Sequence, residues 1–565
     1  MPTSSPDRLP RVFSIQIFSI IFTAIFILHA PLLRLPFFWD EAGFYVPAAY
    51  DLAHFHSVIP RTTMDTGHPP LPAAYLALWF TLSGWKPAVA RIAMLLLAAF
   101  ALSNVFLLAR RVANIGVAVA ATIATAVYPV FFAQSSLAHA DLAAAAFTLW
   151  GIRLGMERRL WCSQFAFTLA VLSKETAVVT PLAVAIWQYF LSPEAAPKRE
   201  KIRRAAICLV PVLPLAAWLL YHHHATGRFL GDAQFYRYNV TNAMAPLRFL
   251  AAFGIRIWHL LGFMNMLALT AATIAAMWFP AVRDHAGRNN GGRNNAGRNN
   301  AGQNNAGQNN AGQNNDERQR ISIPVQLQFA LIMLVQLVTF SLLGGALLPR
   351  YLLSAYPLVI IIGMSTLRRR ITRWEWPAAL IVIAFVLALF FDPPYKLAPE
   401  DNLTYKDFVE LHASASHFLE QHEQGKAVLT AWPASDELTR PYLGYVNKPL
   451  SVVAVENFTA EEVFKARAMR SRYQVAFLFS TKYDQPTWLG SRLDGLTRRY
   501  FDYHTDLPPE LIANLLGGKI VLLERKKAEW VAVLEMEEPG TSAALGNQHS
   551  TETLATDNKD ETDFR

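Results

Sequence analysis

Residues 12–45 read VFSIQIFSIIFTAIFILHAPLLRLPFFWDEAGFY, an apolar run that leads to two adjacent carboxylates. The run 12–33 follows Arg8 and Arg11 and is long enough to cross about 30 Å of hydrocarbon as a helix. Asp40 and Glu41 then lie at the lip of that predicted membrane span. Carboxylates at membrane depth are costly and usually have a function, so this pair is the first candidate site.

The composition indicates a polytopic membrane protein with one soluble part. The chain of 565 residues is 53% hydrophobic and only 16% charged, with a mean hydropathy of +0.22. An ordinary soluble domain carries about 25% charged residues. The net charge of +9 does not indicate nucleic acid, because most basic clusters lie between apolar runs, where the positive-inside rule places them. The two cysteines both lie in apolar runs, so no disulfide framework is expected.

The basic clusters predict the path of the chain through the membrane. If they mark the inner side, the chain crosses an even number of times between consecutive clusters. This count gives about eleven spans, with the N-terminus inside and the C-terminal part outside. The segment 34–87 then stays outside, and its short apolar piece 71–83 is predicted to be an interfacial or re-entrant helix. The predicted spans are 12–33, 88–109, 113–133, 141–156, 160–173, 176–192, 205–221, 250–280, 323–343, 351–367 and 375–392.

Changes in composition divide the chain into a membrane domain, 1–399, a soluble domain, 400–536, and a polar tail, 537–565. Short apolar runs at 427–430, 451–455, 475–479 and 520–523 alternate with helix-like segments, which predicts a small extracytoplasmic α/β domain. Residues 286–315 are tandem copies of a five-residue unit rich in Gly and Asn. Such a repeat cannot bury apolar area, so it is predicted to be a disordered inner loop, and the tail is expected to be disordered too.

Several ionisable residues next to apolar runs are predicted to share the outer side. Titratable groups clustered at one depth are typical of a functional site. For Asp40 and Asp141 the alternative is helix capping, because an acid at a helix N-terminus accepts backbone hydrogen bonds. For Lys174 the alternative is snorkelling to the membrane surface, and for His68 it is a solvated interfacial ring. Arg350 favours function, because an outer arginine is unexpected and its planar fork suits a phosphate.

Five short motifs occur in an order that resembles a known family. They are the acidic pair after the first span, the run Gly67-His68-Pro69-Pro70-Leu71, Asp141 at a later outer turn, the run Ser173-Lys174-Glu175-Thr176, and the run Arg350-Tyr351-Leu352-Leu353. Over roughly residues 12–392 this set resembles the superfamily C membrane glycosyltransferases. The closest group is the protein O-mannosyltransferase and aminoarabinose transferase lineage, family 39. The resemblance implies a polyprenyl-phosphate sugar donor and transfer on the extracytoplasmic side.

The resemblance also implies a role for each matched residue. Asp40 would be the base that activates the acceptor, and Asp141 matches a second acid of the family. His68 stands where a relative has a lysine that contacts phosphate, so a phosphate role follows less directly there. The implied catalytic residues are Asp40, Glu41 and Asp141, and the implied donor-phosphate residues are Arg350, Lys174 and His68.

The expected reaction is the inverting transfer of a sugar to a hydroxyl group of a lipid, a glycan or a protein. No cofactor is firmly expected, but a divalent metal that bridges an acid and the phosphate stays open, because no closed ligand set is evident in the sequence. Two other functions also stay open: a transporter or flippase of lipid-linked saccharides, and a polymerase or ligase of lipid-linked glycans. The expected location is the cell (inner) membrane, with the N-terminus cytoplasmic and the site extracytoplasmic. The expected partners are the lipid-linked donor, the acceptor and membrane lipids.

Overall fold

The computed structural model describes residues 11–232, 246–282, 320–342, 346–483 and 506–537. The predicted repeat linker 286–315 and the predicted tail from residue 538 onwards lie outside the described residues. Contacts divide the chain into two compact units. The first unit runs to Glu410 and includes Tyr442–Gly444 and Tyr483, and the second contains Leu411–Pro441, Tyr445–Lys482 and 506–537.

The first unit is built from α-helices joined by short turns. Every one of the eleven predicted spans coincides with one helix or with two consecutive helices. The interfacial segment predicted at 71–83 is also helical, with the same bounds. The helices are α1 (Arg11–His29), α2 (Val46–Phe55), α3 (Leu71–Ser83), α4 (Pro87–Val112), α5 (Ile115–Val127), α6 (Pro129–Gln134), α7 (Ala140–Met156), α8 (Leu160–Ser173), α9 (Val179–Ile186), α10 (Lys198–Cys208), α11 (Val212–Thr226), α12 (Pro246–Leu261), α13 (Met266–Ala276), α14 (Ile323–Leu342), α15 (Tyr356–Arg370) and α16 (Glu375–Phe390).

Large apolar side chains point outward from this unit, as expected for helices that face lipid. Ile20 of α1, Trp161 of α8 and Leu380 of α16 are each 65–69% exposed. Among the described residues, four segments are long and apolar enough to cross a membrane alone: 13–32, 87–112, 246–276 and 323–342. The pair α10 and α11, bent by 40°, makes a fifth if it counts as one span. The fold class is therefore that of a polytopic helical membrane protein, while the count of eleven spans stays a prediction.

Proline divides one predicted span and thereby shapes the candidate site. The span 113–133 is two helices, because Tyr128 is extended and Pro129 begins α6. Proline suits the first turn of a helix and disfavours a helical residue before it. The short α6 then ends at Gln134. The turn that follows is buried and contains His139.

The second unit contains a five-stranded mixed sheet. The strands are β1 (Val428–Ala431), β2 (Val452–Val455), β3 (Val475–Phe479), β4 (Gly518–Lys526) and β5 (Glu529–Met536), in the order β2-β1-β3-β5-β4. The first three are parallel, and β4 and β5 form an antiparallel hairpin that joins them at β3. The helices α18 (Ala434–Thr439), α19 (Ala460–Ala468) and α20 (Pro509–Leu516) complete the α/β fold, together with the part of α17 (Thr404–His422) that follows Glu410.

The predicted C-terminal α/β domain is thus present, and its four predicted strands are confirmed. The central strand β3 is buried at every position, as its unbroken apolar run indicates. The sequence reading missed β5. Its apolar run Trp530–Leu534 lies between Glu529 and Glu535 and could have revealed the strand.

Candidate active site

Asp40 lies in front of a π-helical turn, Glu41–Tyr45, that leads into α2. Its side chain makes no capping hydrogen bond to this turn. Instead, Oδ2 of Asp40 accepts a hydrogen bond from Nη2 of Arg350 at 2.5 Å. The capping alternative for Asp40 therefore does not account for this carboxylate. It belongs to an ion pair that joins residues 310 positions apart.

Arg350 holds carboxylates from three separate segments of the chain. It lies in a 3-10 turn, Pro349–Leu352, just before α15, and its side chain is only 4% exposed. Besides Asp40, it contacts Oε1 of Glu400 through Nη1 at 2.8 Å and Oδ2 of Asp141 through Nε at 3.5 Å. The planar guanidinium is suited to such multiple pairing. Four predicted outer-side segments therefore meet at this arginine.

Asp141 and Lys174 form a second buried ion pair beside the first. Nζ of Lys174 donates to Oδ1 of Asp141 at 2.7 Å, and both side chains are less than 10% exposed. Asp141 lies in the first turn of α7, whose N-cap is His139, and makes no capping contact. Nζ of Lys174 also lies 4.2 Å from the ring centroid of Tyr351. Snorkelling does not describe a lysine that is enclosed in this way.

Glu41 points away from this cluster and is saturated by other partners. It pairs with Arg91 of α4, and neither side chain is exposed. Its two oxygens also accept the backbone N–H groups of Phe38 at 2.7 Å and Ala138 at 2.5 Å. Arg91 in turn donates to the backbone carbonyls of Ser136 and Pro36. This geometry fits a structural role for Glu41, which fastens the turn around Asp40 to α4.

His68 contacts a different acid. Its Nδ1 is 2.8 Å from Oε2 of Glu175, and its ring stacks on Tyr45 at a centroid distance of 6.3 Å. Tyr45 also lies 5.7 Å from the ring of His139, next to Arg350. His68 is therefore one aromatic ring away from the cluster and makes no direct ion pair with Asp40 or Arg350 in the described structure.

The loop that carries His68 is fixed by a buried histidine of α11. Nε2 of His222 lies 2.7 Å from Oδ2 of Asp65, and Nδ1 of His222 lies 2.7 Å from the carbonyl of Arg228. Gly67 has φ +70°, and a Cβ there would lie 2.4 Å from the nitrogen of Gly231. Glycine is therefore required for this close approach. Among the described residues, no three His, Cys, Asp or Glu side chains are arranged to hold a metal ion.

The acids near Arg350 outnumber the cations that contact them. Asp40, Asp141 and Glu400 carry three negative charges when ionised, while Arg350 and Lys174 supply two positive ones. Burial raises the pKa of Glu400 to about 7, and the pairing with Arg350 opposes this rise only partly. Burial also raises the pKa of the adjacent Asp401 well above its usual range. Glu400 therefore takes up a proton more readily than an exposed glutamate does, because its pKa is raised.

A small pocket that is partly open to solvent begins at these ion pairs. Its polar end is formed by Asp141, Lys174, Arg350 and Tyr351. Away from them the lining is mixed: apolar side chains such as Ala144, Ala145 and Phe340 alternate with the polar Thr148, Thr180 and Gln336. The pocket therefore has charge at one end and small polar and apolar side chains between helices at the other.

The fold of the chain matches known membrane glycosyltransferases. ArnT from Cupriavidus metallidurans in the apo state shares 14% identity, with a TM-score of 0.51, over 92% of this chain and 97% of that one. The chain therefore shares the fold of this protein, as the resemblance to the superfamily C membrane glycosyltransferases predicts. Residues 67–218 also match the family model described as dolichyl-phosphate-mannose-protein mannosyltransferase. The resemblance predicted from the sequence is therefore confirmed.

Two further solved structures are more distant. ArnT from Cupriavidus metallidurans bound to undecaprenyl phosphate gives a TM-score of 0.49 at 14% identity, over 93% of this chain and 98% of that one. The Archaeoglobus fulgidus oligosaccharyltransferase in the apo form gives 0.44 at 10% identity, over 91% of this chain and 73% of that one. No curated protein sequence matches the chain significantly.

Within this superfamily C fold, the structure brings together four of the six residues singled out in the sequence. Asp40, Asp141, Lys174 and Arg350 form one connected group, while His68 and Glu41 have other partners. Their catalytic and binding roles stay predictions.

Two buried charges near the site were missed. Glu400 falls at the predicted start of the soluble domain, but its contacts place it in the first unit. Arg256 lies inside a predicted span, where a charged residue is itself a signal of function. The spacing of Arg248, Arg256 and His259 puts them on one face of a helix, and this pattern could have revealed the face.

Arg256 is a buried cation with unused hydrogen-bond donors. Its Nη1 donates to the backbone carbonyl of Leu348 at 2.6 Å, and its Cζ lies 5.2 Å from the ring centroid of Tyr351. Its Nε and Nη2 have no hydrogen-bond partner among the described residues. Tyr351 therefore contacts two cations, Lys174 and Arg256, through its ring. Buried charges of this kind are normally paired, so the region has capacity for an anion.

Proposed function

We propose that the chain is a membrane glycosyltransferase that moves a sugar from a polyprenyl-phosphate donor to a hydroxyl acceptor on the extracytoplasmic side. The observation that carries the proposal is the ion pair between Asp40 and Arg350, because Arg350 also lines a pocket together with Lys174 and Tyr351. The match over residues 67–218 and the superfamily C fold support the same class of reaction.

The donor phosphate is proposed to bind at the face formed by Lys174, Tyr351 and Arg256. Charge grows on the phosphate as its bond to the sugar breaks, and fixed cations stabilise that charge. Arg256 has donors that are unused among the described residues, and the ring of Tyr351 packs against Arg256 and Lys174. Arg350 must share its charge among three carboxylates, so its phosphate contact requires that one of them moves or takes a proton.

Asp40 is proposed as the base because it is the most accessible carboxylate of the group. Its side chain is 18% exposed, compared with 4% for Asp141 and 7% for Glu400. The acceptor hydroxyl gives its proton to Asp40 as its oxygen bonds to the anomeric carbon. The bond between that carbon and the phosphate oxygen breaks, and polyprenyl phosphate leaves with the electron pair. One such displacement inverts the anomeric configuration.

The other residues singled out in the sequence have supporting roles. Asp141 holds Lys174 in place. His68 is proposed to act on the donor, with its ring stacked on Tyr45. Glu41 is assigned to the support of the Asp40 turn. The sidedness, with the pocket extracytoplasmic and the N-terminus cytoplasmic, is proposed from the basic clusters.

A flippase of lipid-linked saccharides is the alternative function. Transporters usually place polar groups near the membrane midplane between repeated halves. Here the acids and cations converge next to helix ends and turns, beside Asp40, Lys174 and Arg350. This arrangement favours chemistry at a membrane surface over passage through the bilayer.

The test uses purified protein in proteoliposomes with a panel of radiolabelled polyprenyl-phosphate sugars and candidate acceptors. The proposal expects one label to move to a lipid, a glycan or a protein with release of polyprenyl phosphate. Release of label to the opposite leaflet, still attached to its lipid, would instead indicate the flippase. Transfer of a whole oligosaccharide would indicate the polymerase or ligase.

A further inference from the structure

Glu400 brings a third carboxylate to Arg350 from the turn that follows the last predicted span. It lies in the 3-10 turn Pro399–Asp401, and only 5% of the surface of Glu400 is exposed. Its Oε1 is 2.8 Å from Nη1 of Arg350. Its backbone carbonyl accepts a hydrogen bond from Nε2 of Gln134 at 3.4 Å, which ties the turn to the end of α6. The backbone of Glu400 is thus held by a hydrogen bond, and its side chain by an ion pair whose Oε1 accepts no hydrogen bond among the described residues.

Glu400 and Asp40 form ion pairs with different nitrogens of the same guanidinium group, that of Arg350. Nη1 of Arg350 faces Glu400 and Nη2 faces Asp40, so each acid lowers the share of positive charge that the other receives. The neighbouring Asp401 turns away, because its Oδ2 accepts the backbone N–H of Ala398 at 2.9 Å. Among the described residues, the charged groups close to Glu400 are Arg350, Asp40, Asp141, Lys174 and Asp401, and His139 contacts Arg350.

We propose that Glu400 is a positioning residue that holds one arm of Arg350 and thereby keeps Asp40 a strong enough base to accept the acceptor proton. This inference rests on the proposed transferase function. An ionised Glu400 competes with Asp40 for the charge of Arg350, so the Asp40 carboxylate is less fully occupied by the arginine and can accept the proton of the acceptor. Without Glu400, Arg350 pairs more fully with Asp40, which becomes a weaker base.

The same charge has the opposite effect on the donor. An ionised Glu400 adds one negative charge to a pocket that must receive a phosphate, so it weakens donor binding. Its removal therefore lowers kcat and also lowers the KM for the donor. A residue with a merely structural role would not produce this combination, because a smaller folded fraction lowers the apparent kcat and does not lower KM.

The test compares Glu400→Gln with Asp401→Asn in the full-length protein. Glutamine keeps the shape of Glu400 and removes its charge. Asp401 is the control because it is also a buried acid of this turn, but its side chain accepts a hydrogen bond from the backbone N–H of Ala398. Transfer from a labelled polyprenyl-phosphate sugar is measured at pH 8, where Glu400 is largely ionised because burial raises its pKa only to about 7. Glu400→Gln is expected to lower kcat about tenfold and to lower the donor KM several-fold. Asp401→Asn is expected to keep both constants near the wild-type values.

A second variant covers the case in which Glu400→Gln does not fold. Glu400→Asp keeps the charge but withdraws it from Arg350, so it is expected to lower kcat and leave the donor KM unchanged. The positioning role is overturned if a folded Glu400→Gln or Glu400→Asp protein keeps the wild-type kcat, or if Glu400→Gln raises the donor KM. In either case an active wild-type protein leaves the proposed function intact. A wild-type protein that transfers no sugar from any donor overturns both.

Discussion

Replacement of Arg256 by methionine should weaken donor binding without destabilising the protein. In the structure, Arg256 is fully buried and uses only Nη1, which donates to the carbonyl of Leu348 at 2.6 Å. Its Nε and Nη2 lack hydrogen-bond partners within the described parts of the chain. A bound phosphate would accept from these donors, so a methionine of similar length should remove that contact and retain most of the packing.

The magnitudes follow from ordinary hydrogen-bond energies. A hydrogen bond between charged groups contributes roughly 1.5–3 kcal/mol, which corresponds to a rise of about 10- to 150-fold in the Kd of the donor. An unpaired buried polar group costs roughly 1–3 kcal/mol, while the lost bond to Leu348 contributes only about 1 kcal/mol. The free energy of unfolding should therefore stay level or increase. Affinity and stability should change in opposite directions.

Two measurements in detergent or nanodiscs test this expectation. Binding of a fluorescent polyprenyl phosphate reports the Kd, and thermal unfolding reports stability. The matched control is Arg153→Met, because Arg153 is also largely buried but donates to Asn104 and Glu157, both at 2.8 Å. The control should lose stability and keep donor affinity. An unchanged donor Kd in Arg256→Met, or a marked loss of stability, would refute the assignment of Arg256 as an anion-binding residue.

Two further substitutions separate catalysis from support. Arg350→Lys should retain more transfer than Arg350→Ala in a donor-transfer assay, because lysine keeps a charge beside Asp40; equal activities would indicate a mere interfacial anchor. Glu41→Gln should reduce the yield of monodisperse protein in size-exclusion chromatography, because removal of one partner from a buried ion pair costs roughly 3–5 kcal/mol. A Glu41→Gln protein that folds normally but transfers no sugar would indicate that Glu41 has a catalytic role.

The sequence predicted the helices and the main ion pairs because both leave local signals. The eleven apolar runs predicted as spans all overlap helices in the structure, and the unbroken run Val475–Phe479 predicted a buried strand. Asp40, Lys174 and Arg350 were found because ionisable residues beside apolar runs are costly unless they are used. The parity of the crossings placed these residues on one side, and the structure brings them into contact.

The sequence could not show which partners each charge selects. Adjacent acids in the chain diverge in space: Asp40 pairs with Arg350, whereas Glu41 turns to Arg91. This difference depends on the π-helical turn that begins at Glu41, and no sequence pattern predicted that turn. Glu400 was missed for a related reason, since its contact with Arg350 depends on how the chain returns after α16.

The central claim is that Asp40 takes the proton of the acceptor. Asp40→Asn keeps the size of the side chain and an oxygen that can accept from Arg350, so the protein should fold and still bind a polyprenyl phosphate. The direct measurement is single-turnover transfer from a labelled polyprenyl-phosphate sugar by purified wild type and Asp40→Asn at equal donor occupancy. The account predicts that the variant binds the donor and loses transfer by a factor of at least about 10²–10⁴, the usual contribution of a positioned base. Transfer by Asp40→Asn at a rate near that of the wild type would contradict it.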